Sequence, residues 1–201
     1  MMSIRRAILL AVCVLLAAGA GCAKRVLVES AIDPKEYRRM AIMPFTTEGT
    51  SYQIGSQLAD EITLRLLAEA PQIQIVESTK INVLTLPENL NKGARSKEEI
   101  AIALGQLLQV DAVLTGTVTL SVADLSSAGW NRRVGDAAVV VRLIATSDGR
   151  VVWAKREEVE SIEARLDFAT DWRTDYEITQ DVIRKLAEQV AQNFYPHYER
   201  R

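Results

Sequence analysis

The sequence predicts an α/β fold: one layered domain in which helices pack on a mixed β-sheet, in the order β-α-β-(α)-α-β-β-β-α. Three observations lead there. Apolar residues recur at helical spacing in three separated stretches. Between the stretches lie short apolar runs bounded by Pro, Gly or Asp, as buried strands require. Asp148-Gly149 then sits between two apolar runs, the signature of a hairpin. No internal repeat and no low-complexity segment interrupts the pattern.

The elements follow in order. Residues 39–45, RMAIMPF, are apolar after the first and end in a Pro-bounded turn, which predicts a strand buried on both faces. In 51–70, Ile54, Leu58, Ile62 and Leu66 recur every fourth residue, extended by Ala59 and Ala70, and Pro71 stops the helix. Residues 73–77, IQIVE, read as a second short strand. One or two helical turns are expected in 78–84, then a polar loop, PENLNKGAR. Ser96 with Glu99 three residues on is a capping box. It opens a helix expected to turn Ile100, Leu104, Leu107 and Leu108 to one side. Residues 111–122 alternate, with Leu114, Val118, Leu120 and Val122 facing one way with Gly116 and Thr115, Thr117 and Thr119 facing the other. Gly116 marks a bulge or a close helix contact, with ligand approach the alternative. Strands are expected at 136–146 and 151–159, joined by the tight turn Ser147-Asp148-Gly149-Arg150. The last helix, 176–195, carries Ile178, Val182, Leu186, Val190 and Phe194 in one stripe and is closed by Pro196.

The N-terminus has a different logic. MMSIRR is positively charged, Ala7 begins an apolar run that ends at Ala18, and Gly19, Ala20 and Gly21 precede Cys22. Charged head, short apolar core and small residues are the three parts of a secretory signal. The core is shorter than the roughly 20 apolar residues a membrane-spanning helix needs. Ala20, Gly21 and Cys22 resemble a bacterial lipoprotein signal, in which the cysteine receives lipid, palmitate included, and becomes the new N-terminus. Gly19 stands where an aliphatic residue is usual. A plain signal cut at Ala18-Gly19-Ala20 is the alternative. Ala23 and Lys24 lack the aspartate that holds many such lipoproteins at the inner membrane, which points to the outer membrane of a Gram-negative bacterium, periplasmic face. The expected organisation is a signal peptide over 1–21, an anchor and short tether over 22–37, and the periplasmic domain over 38–201.

Composition narrows the function class. The chain has 201 residues, two cysteines, one histidine and a net charge of −2. Cys13 leaves with the signal and Cys22 would carry lipid, so the mature domain contains no disulfide. Loss of Arg5 and Arg6 brings its charge from −2 to about −4, a mildly acidic balance that does not read as a nucleic-acid binder.

Several stretches are familiar in this order: RMAIMPF, GSQLADEIT, IQIVE, ALGQLLQVDAVLTGTVT and VVVRLIATSDGRVVW. Together they resemble the CsgG/LpoB-type family of bacterial envelope lipoproteins, which includes a curli secretion channel subunit and an activator of a peptidoglycan synthase. The likeness runs from about Met40 to Trp153, with LGQLLQVDAVLTGTVT and DGRVVW its more specific parts. It implies an α/β periplasmic domain that acts by binding proteins. The channel's membrane hairpins are not expected: ADLSSAGWNRRVGD reads as a loop too short and polar for two spanning strands. The segment KREEVESIEARLDFATDWRTD lacks an apolar alternation.

No catalytic constellation emerges. His197, the one histidine, follows the last helix in YPHYERR, so no nucleophile–histidine pair can form in the core. Zinc spacing, a phosphate-binding loop and a dinucleotide fingerprint are absent from the sequence. Carboxylates are plentiful: Asp60 and Glu61 on the first helix, Glu157, Glu158 and Glu160 at the end of a strand. Asp167, Asp171 and Asp175 fall at helical spacing, as a solvated acidic face or, less simply, a cation site. None forms a distinct pair. Candidate partner contacts are Trp130 with Arg132 and Arg133 in a loop between strands, and Phe168 with Trp172 before the last helix, because Trp and Arg are enriched at interface hot spots. Rings covering the edge of the core are the simpler reading of both clusters, and Trp153 is expected in the core. The function expected is non-enzymatic: membrane attachment through lipidated Cys22 and protein–protein interaction, with an envelope partner or in a homo-oligomer, in envelope assembly or secretion. Activation of a peptidoglycan synthase is the alternative, and an enzyme with a carboxylate pair is the third. No cofactor, metal, nucleic acid or small-molecule substrate is expected.

Overall fold

The computed structural model describes residues 25–48, 52–76, 96–127, 130–165 and 174–200. The expected turns of helix at 78–84 and the loop after them lie outside these residues. The remaining elements are β1 (Arg25–Val28), β2 (Arg39–Ile42), β3 (Thr46–Thr47), α1 (Tyr52–Glu69), β4 (Gln74–Val76), α2 (Lys97–Leu108), β5 (Ala112–Ser127), β6 (Trp130–Ala145), β7 (Val151–Arg165), α3 (Asp175–Gln192) and β8 (His197–Arg200). They form two compact units. One comprises the chain ends, where β1 pairs antiparallel with β8; the other spans Glu29–Tyr195.

The larger unit is the layered α/β domain the sequence predicts. Its mixed sheet runs β4-β2-β5-β6-β7, with β3 beside β5. β4, β2 and β5 are parallel; β5, β6 and β7 are antiparallel. The pleat sends alternate residues to opposite faces, and both faces of the central strands are apolar. On one face Met40, Ile42, Leu114, Val118, Val139, Val141 and Leu143 meet α1 and α3. The helices contribute Leu58, Ile62 and Leu66, and Ile178, Val182, Leu186 and Val190, every one of them fully buried or nearly so. Each such side chain contributes about 1.5–3 kcal/mol by leaving water, so these two stripes hold the layers together. On the opposite face Ala41, Val113 and Ile144 meet Ala101 and Val110 in a smaller cluster at one end of the sheet, under α2.

Local signals set the ends of these elements. The Ser96 hydroxyl accepts from Glu99 N–H while the Glu99 carboxylate accepts from Ser96 N–H, as the sequence predicts. Thr174 and Glu177 make a second capping box at the start of α3. Gly149 takes a positive φ of 74° in the expected turn, where a left-handed residue favours glycine. Gly116 is a close contact with a strand and a ring rather than with a helix: a Cβ there would meet Val140 O at 2.1 Å and the Phe45 ring at 2.9 Å. Trp153 packs on the core edge, its ring 5.1 Å from that of Phe194 in an edge-on arrangement.

Four expectations are corrected. The strands expected at 111–122, 136–146 and 151–159 extend to Ser127, start at Trp130 and extend to Arg165. ADLSSAGWNRRVGD is therefore largely strand, because antiparallel pairing of β5 with β6 satisfies its backbone although its side chains are polar. Leu107 does not join the buried side of α2; it is 58 % exposed, since Ala101 and Gly105 face the sheet there, with Ile102 and Leu108 packed beside them. The stretch 25–37 also carries structure: 25–28 is β1, Ile32 is buried, and Ala31 N–H donates to Asn193 O at 2.8 Å.

Two substitutions test this packing. A Cβ on Gly55 would lie 1.8 Å from the carbonyl oxygen of Phe45, where α1 closes on the chain leaving β2. Gly55→Ala should cost about 1–3 kcal/mol in urea unfolding, against the gain that Gly→Ala brings in an open helix. Gln109, which caps α2, sits in the left-handed region at φ 54°. Gln109→Gly should leave the fold intact and stabilise it by about 0.5–1 kcal/mol, because a side chain in that region costs about 1–2 kcal/mol and the more flexible unfolded chain returns part of it.

Candidate functional site

Among the described residues, α2 covers only one end of its sheet face. Beyond it the pleat of β5, β6 and β7 presents an open surface. Thr115, Thr117, Thr119 and Ser121 follow one another along β5, beside Ala138, Val140 and Arg142 of β6 and Arg156 and Glu158 of β7. Thr115 is still buried at the α2 end; Thr119 and Ser121 are exposed. Small side chains on β5 leave a hollow of ≈ 460 Å³ lined also by Glu48 and Glu98, which continues past Thr119 and Ala138 into a second of ≈ 480 Å³ reaching Asp136.

Four of the charges on this surface form two ion pairs. Arg142 Nη1 lies 2.8 Å from Glu98 Oε1, tying the first turn of α2 to β6. Arg156 is bonded to Glu158 two residues along the same face of β7. The result is a hydroxyl-rich trough with two bound ion pairs and one exposed aliphatic side chain, Val140. The Glu98 carboxyl is held below its ordinary pKa by its own backbone N–H, by the Ser96 hydroxyl and by the Arg142 guanidinium, against the opposing push of burial. Such a surface can align a partner strand or loop by hydrogen bonds. Among the described residues no group of three or more His, Cys, Asp or Glu is placed to hold a metal ion.

The residues singled out in the sequence fall differently. Cys22, Phe168 and Trp172 lie outside the described residues. Trp130, Arg132 and Arg133 lie within β6 rather than in a loop, opposite Ser127, Leu125 and Asp124 of β5. Arg133 forms an ion pair at 2.9 Å with Asp175, the first residue of α3. That contact ties the start of the helix to β6. Glu157 and Glu158 point to opposite faces of β7: Glu157 accepts from Asn193 Nδ2 at 3.1 Å and pairs with Lys155 at 2.7 Å beside the end of α3, while Glu158 lines the trough. The trough itself was not singled out. Its signal was present in the run Thr115-x-Thr117-x-Thr119-x-Ser121, a hydroxyl stripe at strand period in place of an apolar or charged one.

Comparison with known proteins gives likeness and no family. No family model matches the chain and no curated protein matches it, so the CsgG/LpoB-type relation stays a resemblance. Among solved structures the chain is similar to the PelC dodecamer of Paraburkholderia phytofirmans, at 12 % identity and a TM-score of 0.47 over 85 % of this chain and 96 % of that one. It is similar to lipoprotein GNA1162 of Neisseria meningitidis, at 12 % identity and a TM-score of 0.45 over 77 % and 98 %. The LpoB C-terminal domain of Escherichia coli is similar at 13 % identity and a TM-score of 0.40, over 64 % and 87 %. No helix among the described residues is long and apolar enough to cross a membrane.

The ion pair at the mouth of the trough has a pH signature. A carboxyl with a depressed folded pKa adds stability that is complete above its unfolded value and is lost as pH falls through the folded one. Glu98→Gln should therefore remove part of the stability loss seen on acidification below about pH 4.3, the ordinary glutamate value. At neutral pH it should cost less than about 1 kcal/mol, as exposed pairs do. Urea titrations of both forms across that window measure this.

Proposed function

We propose that this chain is a lipid-anchored protein of the bacterial outer membrane, facing the periplasm, that works by holding another protein, a partner or a second copy, rather than by turning over a substrate. The observation that carries the reading is the sequence Ala20-Gly21-Cys22 after a charged head and a short apolar run, with strand β1 starting at Arg25. Acyl chains contribute about 0.8 kcal/mol per buried methylene, and two or more hold a protein at a bilayer for long times. The open trough on β5–β7 supports the second half of the reading. It offers hydroxyls and two ion pairs, a set suited to contact along an extended segment. Glu157 and Glu158, on opposite faces of β7, do not form the carboxylate pair an acid–base enzyme would use.

Cys22→Ser in the native host should abolish labelling by palmitate and move the protein from the membrane to the soluble envelope fraction. Retention in the membrane with label intact contradicts the anchoring. A photo-crosslinking residue at Thr117 should form an adduct of defined mass in cells, and Thr119→Arg should remove it without changing the unfolding midpoint by more than the equivalent of about 0.5 kcal/mol. An adduct unaffected by Thr119→Arg contradicts the role given to the trough.

A further inference from the structure

The chain ends meet in a two-stranded ribbon. β1 and β8 pair antiparallel in the register Arg25↔Arg200, Val26↔Glu199, Leu27↔Tyr198, Val28↔His197. Residues opposite each other share a face. One face therefore holds the register pairs Arg25↔Arg200 and Leu27↔Tyr198; the other holds Val26 and Val28 with Glu199 and His197. Leu27 is 52 % exposed and Tyr198 68 %. His197 Nε2 lies 3.3 Å from Glu199 Oε1, so the acidic residue of the ribbon is engaged on the second face. Arg25, Leu27 and Tyr198 are all exposed on the first face. In sequence, Lys24 and Arg201 flank this same end of the ribbon.

We propose that this first face is a membrane-contact element that lies on anionic phospholipid headgroups beside Cys22; the proposal rests on the anchoring reading above. Distance makes the contact hard to avoid. Three residue steps separate Cys22 from Arg25, at most about 11 Å of fully extended chain. The interfacial layer on each side of a bilayer is about 5–8 Å thick. A cysteine whose acyl chains are in the hydrocarbon therefore leaves β1 within one or two residues of the headgroups. The chemistry of the face suits that position. Arginine supplies paired donors for phosphate oxygens. Tyrosine is enriched at membrane interfaces, where its ring meets lipid and its hydroxyl meets water. Leu27 beside it adds an aliphatic contact at the same depth. An anchor with two linking residues and a cationic, apolar ribbon beside it holds the ribbon itself against the headgroups.

The test uses the full chain purified from membranes with its natural processing. Cys13 leaves with the signal and Cys22 is acylated, so Leu27→Cys provides a single thiol for a fluorophore. The protein is reconstituted into vesicles containing phosphatidylglycerol, with or without lipid spin-labelled near the headgroup. Spin-labelled lipid should quench the fluorophore by more than half, and Arg25→Glu should reduce that quenching at least twofold. Tyr198→Cys provides the same measurement from the other strand should the first variant not fold. Intact mass of the same preparation reports acylation. Acylated protein whose label is not quenched, or whose quenching is indifferent to Arg25→Glu, overturns the ribbon proposal and leaves the anchor standing. Protein of unmodified mass overturns the anchoring reading, and this proposal with it.

Discussion

The larger unit depends on one apolar layer, the contact of α1 and α3 with a single face of the sheet. Leu58, Ile62 and Leu66 from one helix and Ile178, Val182, Leu186 and Val190 from the other fill it, against Met40, Ile42, Leu114, Val118, Val139, Val141 and Leu143. With that face served by two long helices, the opposite face needs less. A single shorter helix, α2, closes the end where Ala41, Val113 and Ile144 are apolar. The unequal coverage produces the trough. Where α2 stops, β5 changes from Val113 to threonine and serine, side chains that tolerate water and can still bond a neighbour.

Much of the fold is legible in the sequence, and the reasons are local. The stripes in 51–70 and 176–195 show a helical period directly, Ser96 and Glu99 mark a start, and Asp148-Gly149 marks a turn. What escapes notice depends on partners distant in the chain. The outer halves of β5, β6 and β7 are polar and charged, so no hydrophobic alternation announces them; they are strands because each satisfies the backbone of the next. β1 and β8 are four residues each, taken from opposite ends of the chain, and neither is a strand without the other. Leu107 has the right spacing for a buried position, yet the sheet beneath α2 offers it no pocket.

The site was legible to a smaller extent. Arg133 had the residue type of an interface contact, but Asp175 binds it as a clasp between β6 and α3. Chemical type alone could not separate these roles, since both use an arginine at an element boundary. The hydroxyl stripe of β5 was visible as a pattern. Its meaning depends on the face above it, which no helix among the described residues covers beyond α2. In the same way Leu27 and Tyr198 carry no signal apart, and share a face only because the register of β1 with β8 sets them opposite each other.

Anchor, ribbon and trough form one account, in which a lipid-bearing residue fixes a compact body at a bilayer and an open sheet surface is left for docking. Its first link is chemical and can be read directly by tandem mass spectrometry of the N-terminal peptide of the mature protein. The account requires that peptide to begin at Cys22, with diacylglycerol on the sulfur. A mature chain beginning at another residue, or an unmodified Cys22, contradicts it.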